Sequence, residues 1–227
     1  MNVIPQVVKD GFVRLVGPLA RAFIRAGIRP NVVTTIGTLI VVGAGVAFGF
    51  GEIRLGGALL LTSGVFDILD GQVARQGGMM TTFGAFYDST LDRVGESAVF
   101  AGLAIYFERG GVPADRQTLA LGISLAALAM SMLVSYARAR AEGLGLECKV
   151  GIAPRAERIF LLGVPALLFG PGRNGMLLFW IVAILALAAT VTVVQRVLYV
   201  ARMADTAPRQ TVKRETLPGV ATRRKGH

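Results

Sequence analysis

Two side chains that carry much covalent enzyme chemistry are almost missing from this sequence. It has one cysteine, Cys148, and one histidine, His227. A lone cysteine excludes an intramolecular disulfide, and nothing around it reads as a redox site. His227 sits at the end of the sequence, away from any reactive neighbour, and no Ser-His or Cys-His pairing exists, which argues against a covalent intermediate on the protein. Acid is also scarce, with 14 Asp and Glu against 24 Lys and Arg and a net charge of +10. Basic residues are not interleaved with aromatics and no nucleic-acid module is present, so nucleic acid is not the partner of that charge.

What the chain does have is apolar length. Hydrophobic residues make up 53% of the sequence and the mean hydropathy is +0.61, more apolar runs than one soluble domain of this size can bury. A spanning helix needs about 20 largely apolar residues. Six are predicted, over residues 32–50, 55–74, 83–107, 117–141, 157–171 and 175–200, the fifth being short. No cleavable signal peptide is expected, because Lys9, Asp10 and Arg14 interrupt the apolar stretch at the start. Over residues 6–27 the pattern changes. Val8, Phe12, Leu15, Leu19 and Phe23 recur at helical spacing, with Lys9, Arg14, Arg21 and Arg25 on other faces, which describes either a helix lying in the membrane interface or one packed on the bundle. The expected fold is an all-α integral membrane protein of six transmembrane helices with an N-terminal interfacial amphipathic helix. Its parts are an arm over 1–30, a six-helix domain over 31–204 and a basic, disordered tail over 205–227.

Charge gives the orientation. With six spans, twenty of the 24 basic residues fall on the side of the two termini, while Arg54, Arg109, Arg116 and Arg173 fall on the other. The bias places both termini in the cytoplasm of a cell-membrane protein, where the basic tail attracts anionic lipid at about 1 kcal/mol per charge.

Four aspartates interrupt the second and third apolar runs. The stretch Asp67-Ile68-Leu69-Asp70-Gly71-Gln72-Val73-Ala74-Arg75 is followed by Gly84, Asp88 and Asp92. On helices, Asp67 and Asp70 (i, i+3) share one face, as do Asp88 and Asp92 (i, i+4). Like charges so placed repel, and in an apolar interior they persist only if protons or cations neutralise them. All-oxygen ligation suits Mg²⁺, Mn²⁺ or Ca²⁺ rather than zinc, and two ions on four carboxylates form a clamp for displacement at phosphorus. Any one aspartate has a plainer use as the partner of Arg75 or Arg93. The interleaved Gly71, Ala74 and Gly84 favour the site, because small residues admit a close helix or a ligand.

The pattern D-x2-D-G-x2-A-R-x8-G-x3-D-x3-D resembles, without a mismatch, the signature of the CDP-alcohol phosphotransferases, integral membrane enzymes of phospholipid synthesis. The resemblance implies a two-metal site using Mg²⁺ (Mn²⁺ as an alternative) that transfers a phosphatidyl group from CDP-diacylglycerol to an alcohol and releases CMP. It implies metal ligation by Asp67, Asp70, Asp88 and Asp92, with Asp92 also accepting the proton of the attacking hydroxyl. By the same resemblance Asn31, Val32, Val33 and Thr34 approach the cytidine diphosphate, although an Asn or Thr there is equally a helix cap. Gly71 gives the backbone access to the nucleotide, Arg75 grips a diphosphate oxygen and Thr81 offers a hydroxyl.

A second set of residues bears on the acceptor. Arg138 lies in Ser135-Tyr136-Ala137-Arg138-Ala139-Arg140-Ala141-Glu142, Arg155 and Arg158 in Pro154-Arg155-Ala156-Glu157-Arg158, and Arg196 after Gln195. Guanidinium groups at the cytoplasmic ends of the last three spans suit a phosphomonoester, while the positive-inside rule alone also places arginines there. These stretches resemble those of actinobacterial phosphatidylinositol phosphate synthases, with Arg138 where that family has Lys and Ala156 where it has Pro. That resemblance implies inositol 1-phosphate as acceptor and a homodimer. Glycerol 3-phosphate, giving phosphatidylglycerophosphate, is the nearest rival. A divalent-cation transporter is the rival of another class, disfavoured because the carboxylates cluster at one end beside a fixed cation.

Overall fold

Proline and glycine punctuate this chain where its helices begin and end. The computed structural model describes residues 6–148, 150–152 and 154–206. Among them the chain forms seven α-helices: α1 (Gln6–Arg25), α2 (Pro30–Gly49), α3 (Ile53–Gln76), α4 (Thr82–Tyr106), α5 (Gln117–Gly143), α6 (Arg155–Phe169) and α7 (Met176–Thr206). Pro30 opens α2, where its missing N–H costs nothing. Thr81 caps α4, its Oγ1 accepting the Gly84 N–H at 2.9 Å. Between α3 and α4 the chain turns through Gly78 at φ +63°, a left-handed conformation that favours glycine. That turn brings the two aspartate pairs face to face.

Every predicted span has a helix under it, with boundaries within a few residues except at the longer carboxyl end of α7. Length and composition alone qualify three segments to cross a membrane, Pro30–Gly49, Ala114–Gly143 and Arg173–Met203. The helices α3 and α4 are long enough, at roughly 36 Å for 24 residues, but carry the aspartates and arginines of the site. The 15 residues of α6 extend only about 22 Å, short of a hydrocarbon core of about 30 Å.

Helix α2 packs between α3 and α4, α5 packs along α7, and α6 lies on α3. The α5 to α7 seam has small residues on one side, Ala120, Ser124, Ala127 and Ser131, and Leu178, Val182, Leu185, Ala189 and Thr192 on the other, all buried and recurring every three or four residues. Large apolar side chains face outward, among them Leu39, Leu125, Trp180 and Leu187, as lipid contact requires. Helix α2 lies close against α4: a Cβ built on Gly102 would lie 1.9 Å from the Gly45 carbonyl oxygen. Gly102→Ala is therefore expected to cost about 1–3 kcal/mol by overpacking. Gly122→Ala, on an exposed face of α5 with nothing within 4 Å, should be neutral or slightly stabilising. Thermal unfolding in detergent compares the two, and equal melting temperatures would mean the α2–α4 contact is looser than described.

The amino-terminal helix rests on the bundle. Val16 and Ala20 are buried with Val33, Leu69 and Val73, and Phe23 and Ile24 pack beside them. Leu19, on the predicted apolar face with Phe23, is 45% exposed, and the stripe buried against the bundle follows Val16 and Ala20. The side chains of Val8, Lys9, Phe12, Arg14 and Leu15 and the tail beyond Thr206 lie outside the described residues.

Candidate active site

The turn at Gly78 and the contact of α2 with both α3 and α4 gather the acidic residues at one end of the bundle. Carboxylate oxygens of Asp67, Asp70 and Asp88 lie within 4.8 Å of one another. At an effective dielectric of about 20, each such pair repels by about 3 kcal/mol. The Thr34 hydroxyl donates to Asp70 Oδ2 at 2.8 Å, and nearby Tyr87 and Thr35 share a hydrogen bond of 2.9 Å that ties α4 to α2. Asp70 is buried, and Asp88 Oδ1 is shut off from solvent with no hydrogen-bond partner. A buried, unsatisfied carboxylate oxygen beside two further carboxylates is what a hard divalent cation satisfies. The donor set fits Mg²⁺ or Mn²⁺.

Asp92 stands apart from that triad. Arg155 of α6 donates through one nitrogen to Asp92 Oδ1 and, at 3.1 Å, to Asp67 Oδ1, while an Arg93 nitrogen lies 3.7 Å from Asp92 Oδ2. The fourth predicted ligand thus occupies the border between the carboxylates and the arginines.

Beside the triad opens a cleft of about 140 Å³ lined by Asn31, Thr34, Asp70, Gly71, Thr81 and Asp88, with Met79, Met80 and Gly84 completing its wall. The Arg75 guanidinium lies over Gly71, its nitrogens 3.1 and 3.2 Å from where a Cβ on that glycine would be. Of the predicted donor-side residues, Asn31, Thr34, Gly71 and Thr81 line the cleft and Arg75 borders it. Val33 is fully buried in the core between α1 and α3, and Val32 is 49% exposed on the outer face, so neither lines the cleft. A much larger cavity, about 700 Å³, lies at the opposite helix ends around Phe50, Arg109 and Asn174, and no carboxylate lines it.

The family profile for CDP-alcohol phosphatidyltransferase matches residues 28–194, which takes in the cleft, the aspartates and the helices that carry them. The chain belongs to the CDP-alcohol phosphatidyltransferase family. It is 39% identical over 205 residues to the phosphatidylinositol phosphate synthase of Cutibacterium acnes, covering 87% of this chain and 97% of that protein. Among solved structures, the Mycobacterium tuberculosis phosphatidylinositol phosphate synthase with CDP-DAG bound is similar at a TM-score of 0.72 and 34% identity, over 82% of this chain and 94% of that one. The same enzyme in complex with manganese and citrate matches at a TM-score of 0.72, over 82% of this chain and 88% of that one.

For a CDP-alcohol phosphatidyltransferase, the four predicted acceptor arginines are unequally placed. Arg155 reaches the aspartates. Arg158, one turn further along α6, is 10% exposed, paired with Glu96 and bonded to Ser131 Oγ at 2.9 Å. Arg196 turns back on the backbone, its Nε donating to the Val150 carbonyl at 2.9 Å and another nitrogen to that of Val134. Arg138 is exposed and pairs along its own helix with Glu142 at 2.8 Å. Sequence reasoning missed Glu96 and Ser131. The signal for Glu96 was present, since it extends Asp88 and Asp92 by a further step of four.

Proposed function

We propose that this phosphatidyltransferase joins CDP-diacylglycerol to inositol 1-phosphate, giving phosphatidylinositol phosphate and CMP. The observation that carries the reading is the contact of Arg155 with Asp67 and Asp92, which sets a phosphate-binding group beside the carboxylates, next to the cleft suited to a cytidine diphosphate. Likeness to phosphatidylinositol phosphate synthases over most of the chain supports the choice of acceptor. Exposed Met80, Phe83 and Phe86 flank the cleft and give an apolar surface for the acyl end of the donor.

Asp67, Asp70 and Asp88 hold divalent cations, with Asp92 as the fourth ligand of a two-ion site. When bound, the ions neutralise the diphosphate and polarise the phosphorus under attack. Asn31, Gly71 and Thr81 seat the nucleotide, and Arg75 grips a diphosphate oxygen through its planar fork. Arg155 draws in the phosphomonoester of the acceptor, with Arg138 and Arg196 completing the basic surround and Arg158 beneath them, paired with Glu96. Asp92 takes the proton from the acceptor hydroxyl as that oxygen bonds to the phosphorus of the phosphatidyl group. The bond from that phosphorus to the bridging oxygen breaks, and CMP leaves with the oxygen. All six helices α2 to α7 span the membrane, α6 with its shortfall covered by α3 and α7, and the site faces the cytoplasm. The working assembly is a homodimer, for which light scattering in detergent should return twice the protomer mass.

Purified protein is incubated with CDP-diacylglycerol and Mg²⁺, and CMP release is measured with inositol 1-phosphate, glycerol 3-phosphate or free inositol. Release with inositol phosphate should exceed that with free inositol by at least about tenfold, since the arginines lose their partner when the acceptor lacks a phosphate, and should also exceed that with glycerol 3-phosphate. Preference for glycerol 3-phosphate would keep the chemistry and overturn the acceptor.

A further inference from the structure

Helix α6 packs on α3 and α7, and it reaches α4 through two guanidinium–carboxylate pairs. Arg155 meets Asp92 and Arg158 meets Glu96. The spacings match, because Asp92 to Glu96 and Arg155 to Arg158 are each about one helical turn. The two pairs are therefore parallel rungs between α4 and α6, one at the aspartates and one deeper. The outer rung is 22% exposed at Arg155 and 18% at Asp92; the inner one is 10% and 9% exposed at Arg158 and Glu96.

From this arrangement we infer that Glu96 is a positioning residue for the acceptor half of the site: through Arg158 it fixes the first turn of α6 and so holds Arg155 against Asp92 and Asp67. The inference rests on the phosphorylated-acceptor reading above. Arg158 is held by Glu96 on α4 and by Ser131 on α5 and is the pin of the joint, whereas Arg155 is the group that meets ligand. Val41, Leu60, Val99, Phe100 and Leu162 surround the inner rung and keep it in apolar company. In such surroundings a charge that loses its partner is costly, so α6 shifts to hydrate Arg158 if the carboxylate is removed. Arg93 also stands near Glu96, its Nε 3.7 Å from Oε2 and beyond hydrogen-bond length, so the closer pairing of Glu96 is with Arg158. The Asp67, Asp70 and Asp88 triad is built on α3 and α4, so that shift reaches it only through the contact of Arg155 with Asp67.

The test separates the acceptor from the donor. Glu96→Gln should raise the acceptor KM about tenfold while kcat stays within about threefold and CDP-diacylglycerol affinity within about twofold. Glu96→Asp should recover most of the loss. Glu96→Gln combined with Arg158→Gln should be no worse than Glu96→Gln alone, because neither charge is then left unpaired. An unchanged acceptor KM, or a rise in acceptor KM accompanied by equal losses of kcat and donor affinity without rescue by Asp, overturns the assignment. If Glu96→Gln does not accumulate folded, Ser131→Ala removes the neutral partner of Arg158 and should raise the acceptor KM about threefold, with an unchanged value counting against the inference. The KM is measured with whichever phosphorylated acceptor the unmodified protein prefers, so a wrong acceptor and a wrong role for Glu96 give different results.

Discussion

Asp70→Asn is expected to lower CMP release by about three orders of magnitude, equivalent to about 4 kcal/mol of transition-state stabilisation. Asp70 is the buried member of the triad, and its Oδ2 is already held by the Thr34 hydroxyl. An amide at this position still accepts that hydrogen bond, so the side chain keeps its orientation and loses mainly its charge. The variant should therefore fold. Without metal it should be no less stable than the original, since one of three crowded carboxylates no longer repels the others. Binding of Mn²⁺, followed by its electron paramagnetic resonance signal, should weaken at least about tenfold. Retained turnover, or unchanged Mn²⁺ binding, would remove Asp70 from the metal site. A collapse of thermal stability instead would assign it a structural role with Thr34.

Much of the fold was legible because local chemistry and hydrophobic pattern agree. Pro30, the Thr81 cap and the Gly77-Gly78 turn mark helix ends that no tertiary contact needs to specify. The aspartates were legible for the opposite reason: four carboxylates in apolar runs conflict with burial unless a site resolves the conflict. Contacts between distant elements were not legible. Val33 reads as part of the nucleotide turn, yet its face of α2 is covered by α1 and α3, a fact of packing rather than pattern. Leu19 shares the apolar spacing of α1 but lies off its buried stripe, because Val16 and Ala20 set the contact of that helix. The arginines show the limit most clearly. Positive-inside bias and phosphate binding predict the same residues, and only the packing of α6 separates Arg155 at the carboxylates from Arg158 beneath them and Arg138 at the surface.

This separation also shapes what Asp92 does. Three carboxylates converge without it, and it is paired with Arg155, so in the proposed mechanism the acidic residues divide between cation binding and the incoming hydroxyl. On that proposal catalysis and acceptor binding share one contact, Arg155 with Asp92, and the donor takes the cleft among Asn31, Gly71 and Thr81.

Asp92→Asn is accordingly expected to reduce kcat by about 10² to 10⁴, the range a positioned general base supplies, while CDP-diacylglycerol affinity stays within about twofold. Metal ligation and base catalysis are separable here by measurement. If Asp92 serves chiefly as base, Mn²⁺ binding by Asp67, Asp70 and Asp88 persists and the loss appears in kcat. If it serves chiefly as a ligand, Mn²⁺ affinity and donor binding fall with turnover. A third component comes from Arg155, which loses one of its two carboxylate partners in this variant and keeps Asp67. That component appears in the acceptor KM alone, and Arg155→Lys, which shortens the reach while leaving Asp92 in place, should reproduce it without the fall in kcat. Full turnover in Asp92→Asn would remove the base assignment and leave the proton of the acceptor hydroxyl to another group.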